Sequence, residues 1–118
     1  MRHGKKKTVS QLKKEADRIF SLFIRRRDDQ CFTCGNRNNL QNGHFISRTH
    51  SATRYSEVNC RAQCINCNVF RRGNYAEFAA RLLENLGRES FDSLIKLGRT
   101  THQFTVKELQ DIIEKYKV

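Results

Sequence analysis

Two C-x2-C pairs, CFTC at residues 31–34 and CINC at 64–67, constrain this chain more than any other feature. A C-x2-C turn presents two thiolates from one tight knuckle. Two knuckles supply the four soft ligands of a closed tetrahedral zinc site, with Zn–S bonds of about 2.3 Å. The expected ligands are therefore Cys31, Cys34, Cys64 and Cys67, and the zinc is structural, with no open position for chemistry. Residues 35 to 63 separate the pairs, a longer interval than a simple ribbon needs, so a folded insert is expected between the knuckles. The fifth cysteine, Cys60, reads as a small buried hydrophobe, with a Cys60-x3-Cys64 ligand register as the alternative.

Paired cysteines are read as metal ligands only in a reducing compartment, and the rest of the chain fits that setting. The start, MRHGKKKTVS, is charged but leads into no apolar signal-peptide core, and no run reaches membrane length. The expectation is a cytosolic protein without a membrane partner. Across 118 residues, 23 Lys and Arg stand against 12 Asp and Glu, a formal net charge of +11. The basic residues cluster, as KKK at 5–7, RRR at 25–27 and RR at 71–72. Polyanions are the expected partners. Nucleic acid is favoured over a membrane surface, because the amphipathic stretches have ordinary core faces and the chain lacks Trp.

A single domain, residues 1–118, is the simplest organisation, since no repeat, proline or long linker divides it. Residues 1–7 read as a disordered basic arm. Thr8 followed by Gln11 resembles a capping box, and Leu12, Ala16, Ile19, Phe20 and Phe23 continue at helical spacing, which predicts a basic amphipathic helix within 8–30. Its exposed face carries Lys13, Lys14, Arg18 and Arg25. Between the knuckles helical periodicity vanishes, and the runs FIS (45–47) and RYSEV (54–58) suggest two short strands within a zinc-stabilised core spanning 31–73. Residues 74–118 are helical. Asn74 with Glu77 opens one helix closed by Gly87, a second ends at Gly98, and Thr105 with Glu108 caps the last.

The insert contains NGHFISR at 42–48. A lone histidine beside a turn-forming Asn-Gly pair is usually a surface turn residue, which is the reading for His3, His50 and His102. His44 differs because it stands in a series with Asn59 and with Asn68, the latter directly after the last cysteine at the head of an expected helix. This H…N…N series resembles the HNH, or ββα-metal, nucleases, and specifically the endonuclease VII type in which the third residue is Asn. With GHFISR, RYSEVNCRAQCINCN and RRGNYAEF, the stretch from 31 to about 79 is similar to the phage NinG (Rap) family of junction-directed recombination endonucleases.

That resemblance implies an α+β fold: a zinc-bridged ββα-metal (HNH-type) element with flanking N-terminal and C-terminal helices. It implies a metal-dependent endodeoxyribonuclease acting on branched DNA such as Holliday junctions. His44 would be the general base, Asn59 would hold the loop and orient it, and Asn68 would ligate a catalytic Mg2+ or Mn2+. An imidazole with an ordinary pKa near 6.5 suits deprotonation of water near neutrality, and hard oxygen donors suit Mg2+. Arg48, Arg71 and Arg72 are expected to hold phosphate, as are Arg25, Arg26 and Arg27 on the first helix. Many HNH sites place Asp or His just before the base as a second metal ligand, where this chain has Gly43; Asn42, Asn59, Glu57 or a DNA phosphate are the substitutes. Symmetric cutting of a junction needs two sites, so a homodimer is expected, with the first helix as one candidate interface. The alternative is a zinc-stabilised nucleic-acid-binding module that does not cut.

Overall fold

In the computed structural model, residues 6–117 are described, so residues 1–5, with His3 and most of the expected basic arm, lie outside the described residues. Helix α1 spans Val9–Asp28. Its capping box forms as expected, with Thr8 Oγ1 accepting from the Gln11 amide and the Gln11 side chain accepting from the Thr8 amide. The helix stops at Asp29, which turns the chain at a left-handed φ of 62°. The apolar stripe Leu12, Ala16, Phe20, Ile24 is fully buried. It packs against Leu109, Ile112 and Tyr116 of α4 (Val106–Tyr116) and against Cys60. This packing corrects one expectation: the apolar face of α1 is consumed within the chain and is not free to form a dimer interface.

The small sheet is antiparallel and consists of β1 (Leu40–His44) and β2 (Cys60–Cys64), paired Leu40↔Cys64 through His44↔Cys60. Both strands lie nearer the knuckles than the sequence suggested. The Asn42-Gly43 pair, expected to turn, sits inside β1, where Gly43 faces Arg61. The turn falls instead at Asn39, whose φ is 53°. FIS merely continues from β1, and RYSEV is not a strand. It is a run of turns closed by the Ser56, Asn59 and Cys60 amides. Its aromatic residue, Tyr55, packs edge-on against Phe20 and Phe104. Asn59 therefore precedes β2 rather than lying on it.

After Cys64 the chain makes a five-residue π-helical turn, Asn66–Phe70, so Asn68 sits in the middle of a short turn and not at the head of a long helix. Helix α2 (Tyr75–Leu86) follows, then α3 (Arg88–Gly98) across Gly87. Phe78, Leu82 and Leu94 form their core, joined by Phe32, Phe45 and Ile46. The predicted cap at Asn74 does not form: its φ of 49° leaves the side chain off the helix end, and its Nδ2 donates to Cys67 Sγ at 3.7 Å. Glu77 pairs with Arg81 instead. At α4 the Thr105–Glu108 capping box forms as read. The chain is thus a mixed α and β structure in which helices flank a two-stranded sheet, and no described helix is long and apolar enough to cross a membrane.

Candidate functional site

The two knuckles meet. The sulfurs of Cys31, Cys34, Cys64 and Cys67 all lie within 4.8 Å of one another, with Cys34 and Cys64 at 3.6 Å. A tetrahedral ion with Zn–S bonds of about 2.3 Å requires sulfur separations of about 3.8 Å, so the set fits a closed zinc site. Local geometry explains the convergence. The Cys31 amide donates to Asn36 O at 2.7 Å and Gly35 N to Cys31 O at 2.8 Å, a turn that Gly35 permits at φ 82°. Phe32 N donates to Ala62 O, fastening the first knuckle to β2. Thr33 Oγ1 lies 3.3 Å from Cys31 Sγ. Cys31 is buried, which by itself would raise its pKa, yet the bonds from Thr33 and from backbone amides bring it down to about 6. At Cys34, which is exposed, a bond from the Asn36 backbone favours the thiolate, but slight desolvation and the three neighbouring sulfurs push the thiol up to about 12. Four sulfurs this close cannot all ionise alone; a divalent cation removes that conflict. Cys60 is not among them. It is wholly buried against Phe20 and Ile24, and burial raises its pKa to about 12; the four clustered sulfurs follow the two C-x2-C pairs and not a Cys60-x3-Cys64 register.

Beside this centre, β1, α1 and the π-helical turn enclose a cleft of about 400 Å³ lined by His44, Asn42, Gln41, Asn68, Arg48 and Asp17, among others. His44 is half-buried at the end of β1. Its Nε2 lies 3.0 Å from the Arg54 carbonyl, which can only accept, so Nε2 carries the hydrogen and Nδ1 of the neutral ring keeps a free lone pair. Burial lowers the His44 pKa below the ordinary imidazole value, and the bond to Arg54 O offsets this only in part. Asn68 Nδ2 donates to Gln41 Oε1 at 2.8 Å, which fixes the amide and leaves its Oδ1 as the available acceptor.

Asn59 does not reach the cleft. It is fully buried, with Oδ1 accepting from Ile46 N at 2.8 Å and Nδ2 donating to Ile46 O and Thr53 O at 3.0 and 3.2 Å. It ties the loop between the strands together, and its backbone oxygen accepts from Phe45 N at 3.0 Å, beside His44, while its partner Thr53 precedes Arg54, whose carbonyl faces the His44 ring. Two residues missed by sequence reasoning complete this arrangement. Arg54 makes a two-pronged pair with Asp17 of α1, through Nε at 2.9 Å and through Nη2, and it donates to Arg48 O at 3.2 Å. Asp17 and Arg54 are 37 residues apart, and only the placement of a carboxylate at the edge of the apolar stripe of α1 hinted at it.

Gly43 now has a physical reason. A Cβ there would lie 2.1 Å from Gln63 Oε1 and 2.7 Å from its Cδ, so the buried Gln63 side chain fills the space that a ligand at position 43 would need. Of the substitutes, Asn59 is fully committed and Glu57 is engaged by Tyr116 Oη at 2.7 Å. Asn42 lines the cleft, and its buried Oδ1 has no hydrogen-bond partner among the described residues. Asp17, a carboxylate of the cleft wall, is neutralised by Arg54.

The arginines divide. Arg48, Arg71 and Arg72 are exposed, with Arg48 on the cleft wall. Arg26 is exposed, whereas Arg25 Nε turns back to Ser21. Arg27 is occupied, donating to Glu57 O at 2.8 Å and Cys60 O at 2.7 Å while pairing with Asp28. Arg27, though exposed, thus also ties the end of α1 to the start of β2. His50 precedes a 3-10 turn, and His102 pairs with Glu108; neither enters the cleft.

Neither a curated protein nor a solved structure matches the chain. A family model described as Bacteriophage Lambda NinG protein matches residues 1–118.

Proposed function

The chain belongs to the NinG family, and from that premise we propose that it is a metal-dependent, structure-selective DNA endonuclease of the HNH, or ββα-metal, kind that acts on branched DNA such as Holliday junctions in phage recombination. The observation that carries this reading is the His44 imidazole, whose Nε2–H is fixed on Arg54 O while its Nδ1 is free in a cleft shared with Asn68 and Arg48. His44 Nδ1 takes the proton of the attacking water. Arg54, gripped by Asp17, sets the tautomer through its carbonyl, and Asn59 keeps that loop in place. Arg48 holds phosphate at the cleft wall, with Arg71 and Arg72 beyond it. Mg2+ or Mn2+, when bound, would neutralise charge at the scissile phosphate and the leaving oxygen. Asn68 Oδ1 and the unpartnered Asn42 Oδ1 are the donors that fit it, with a DNA phosphate completing the set. The protein would work in the cytoplasm of the bacterial host, with zinc on the four cysteines.

One observation favours a second reading, a zinc-stabilised nucleic-acid-binding module that does not cut: the Asp17 carboxylate in the cleft is tied up by Arg54. Cleavage of a four-way junction separates the two. His44→Ala should lower turnover roughly 10²–10⁴-fold with little loss of DNA affinity. Asn68→Ala should be rescued by raised Mg2+ or Mn2+, whereas the His44 defect should not respond to metal. A wild type that binds and never cuts with either ion decides for the module.

A further inference from the structure

The turn after the last cysteine exposes more apolar surface than a short polar connection should. Phe70 is 74 % exposed and Val69 49 %, with Ile65 and Tyr75 also open to solvent. The turn is nevertheless firmly mounted. Arg71 N donates to Asn66 O at 2.8 Å, Arg72 N to Val69 O at 3.0 Å and Gly73 N to Cys67 O at 2.8 Å, and Cys67 is one of the four clustered sulfurs. An exposed aromatic ring on a rigid mount is poised to be covered by something.

The neighbouring charge says what. Arg71 and Arg72 follow Phe70 directly and Arg48 stands on the cleft wall, all three exposed and none paired with a carboxylate among the described residues, whereas Arg37 and Arg54 are taken by Asp29 and Asp17. An apolar ring within a cationic field matches a ligand that joins flat apolar faces to anionic links, which is a nucleobase on its phosphate strand. A greasy groove on another protein would satisfy the ring and leave the arginines unmatched. In a continuous duplex every base is stacked, and entry of a ring costs the unstacking energy; at a branch in its open form, as without Mg2+, the stack is already interrupted. Asn68, two residues before Phe70, lines the cleft.

We infer that Phe70, backed by Val69 and flanked by Arg71 and Arg72, takes up an unstacked base at the branch point of DNA beside the cleft. Resting on the endonuclease reading above, this supplies structure selectivity without any contact that reads sequence.

The test uses the full-length, zinc-loaded protein without added Mg2+. Its ligands are a four-way junction carrying 2-aminopurine beside the branch and a linear duplex of the same sequence. Wild type should raise the 2-aminopurine fluorescence on binding the junction. Phe70→Ala, with unchanged zinc content and melting, should abolish the rise and weaken junction binding roughly 5- to 100-fold, the range for loss of one base–aromatic stack. Its linear-duplex binding should change little, and Phe70→Trp should retain both signals. Junction affinity and fluorescence unaltered in Phe70→Ala would overturn the inference, as would equal weakening on both DNAs. A DNA-free wild type that sediments as a dimer, with Phe70→Ala a monomer, would assign the patch to a second copy and overturn it too. Adding Mg2+ to the same samples reads cleavage separately: a wild type that unstacks the branch without cutting it supports the wedge while defeating the nuclease assignment.

Discussion

Gly43→Ala should destabilise the protein by about 2–4 kcal/mol although it adds one methyl group. The backbone at Gly43 is not left-handed, so the cost is steric and comes from a single neighbour: the new Cβ would lie 2.1 Å from Gln63 Oε1, 2.7 Å from Cδ and 2.8 Å from Cγ. Gln63 is wholly buried and cannot swing aside into solvent. Moving it breaks the Nε2 bonds to Thr33 Oγ1 at 3.1 Å and Gly73 O at 2.8 Å. Each buried partner left unpaired costs about 1–3 kcal/mol, and forcing β1 outward instead costs a similar amount. Thermal melting should show a fall on the order of 10–20 °C for a chain of this size. The companion measurement is the double variant Gly43→Ala/Gln63→Ala, in which the methyl group has room. Its loss should be smaller than the sum of the single losses by more than about 1 kcal/mol. A Gly43→Ala protein melting within about 2 °C of wild type, or strict additivity, would refute the idea that Gln63 enforces the glycine. Gly43→Asp, which would install the carboxylate seen in many HNH sites, should fare worse than alanine.

Cys64→Ser should lose the metal, unfold the segment around the knuckles and abolish DNA binding, as read by zinc content and melting; unchanged zinc content would show the cage to be misassigned. Arg27→Ala should cost about 1.5–3 kcal/mol in urea titrations, because it breaks charged bonds to the Glu57 and Cys60 carbonyls. Arg26→Ala should leave stability nearly unchanged and make the salt dependence of DNA binding shallower; equal effects on stability would remove the distinction. Cleavage should rise with pH along a limb lying below about 6.5 and be flat at neutrality, since burial lowers the His44 pKa and the base works deprotonated. The same shift bears on folding: as pH falls below about 6.5 the unfolded chain takes up the proton first. Stability should decline there in wild type and less so in His44→Ala, and a limb surviving in that variant would exclude His44 as the base.

What the sequence disclosed was local. The capping boxes at Thr8 and Thr105, the stripe from Leu12 to Phe20 and the two knuckles each declare themselves within a few residues, because spacing alone determines their geometry. What stayed hidden was long-range. The pairing of Asp17 with Arg54, the grip of Arg27 on two carbonyls and the side chain of Gln63 over Gly43 join residues 20 to 37 positions apart, and no periodicity encodes them. The strands were displaced for a related reason. β-propensity marks FIS and RYSEV, but the ladder forms where the knuckles force two segments together, and the Tyr55 ring serves to pack against Phe20 and not to line a strand. The candidate site was legible as far as His44 and Asn68. It was blind to Arg54, whose part is played by its own carbonyl as well as its side chain.

The seclusion of Cys60 has a kinetic consequence. With an ion on the other four sulfurs, it is the one thiol left uncommitted, sealed between Phe20 and Ile24 and protonated well past neutrality. An alkylating reagent can reach it only when the sheet lifts away from α1, so in the metal-loaded protein the labelling rate multiplies the reagent's intrinsic reactivity by the fraction of time the structure spends open. One mass shift would then time the breathing of the seam on which His44, Arg54 and Asp17 all depend.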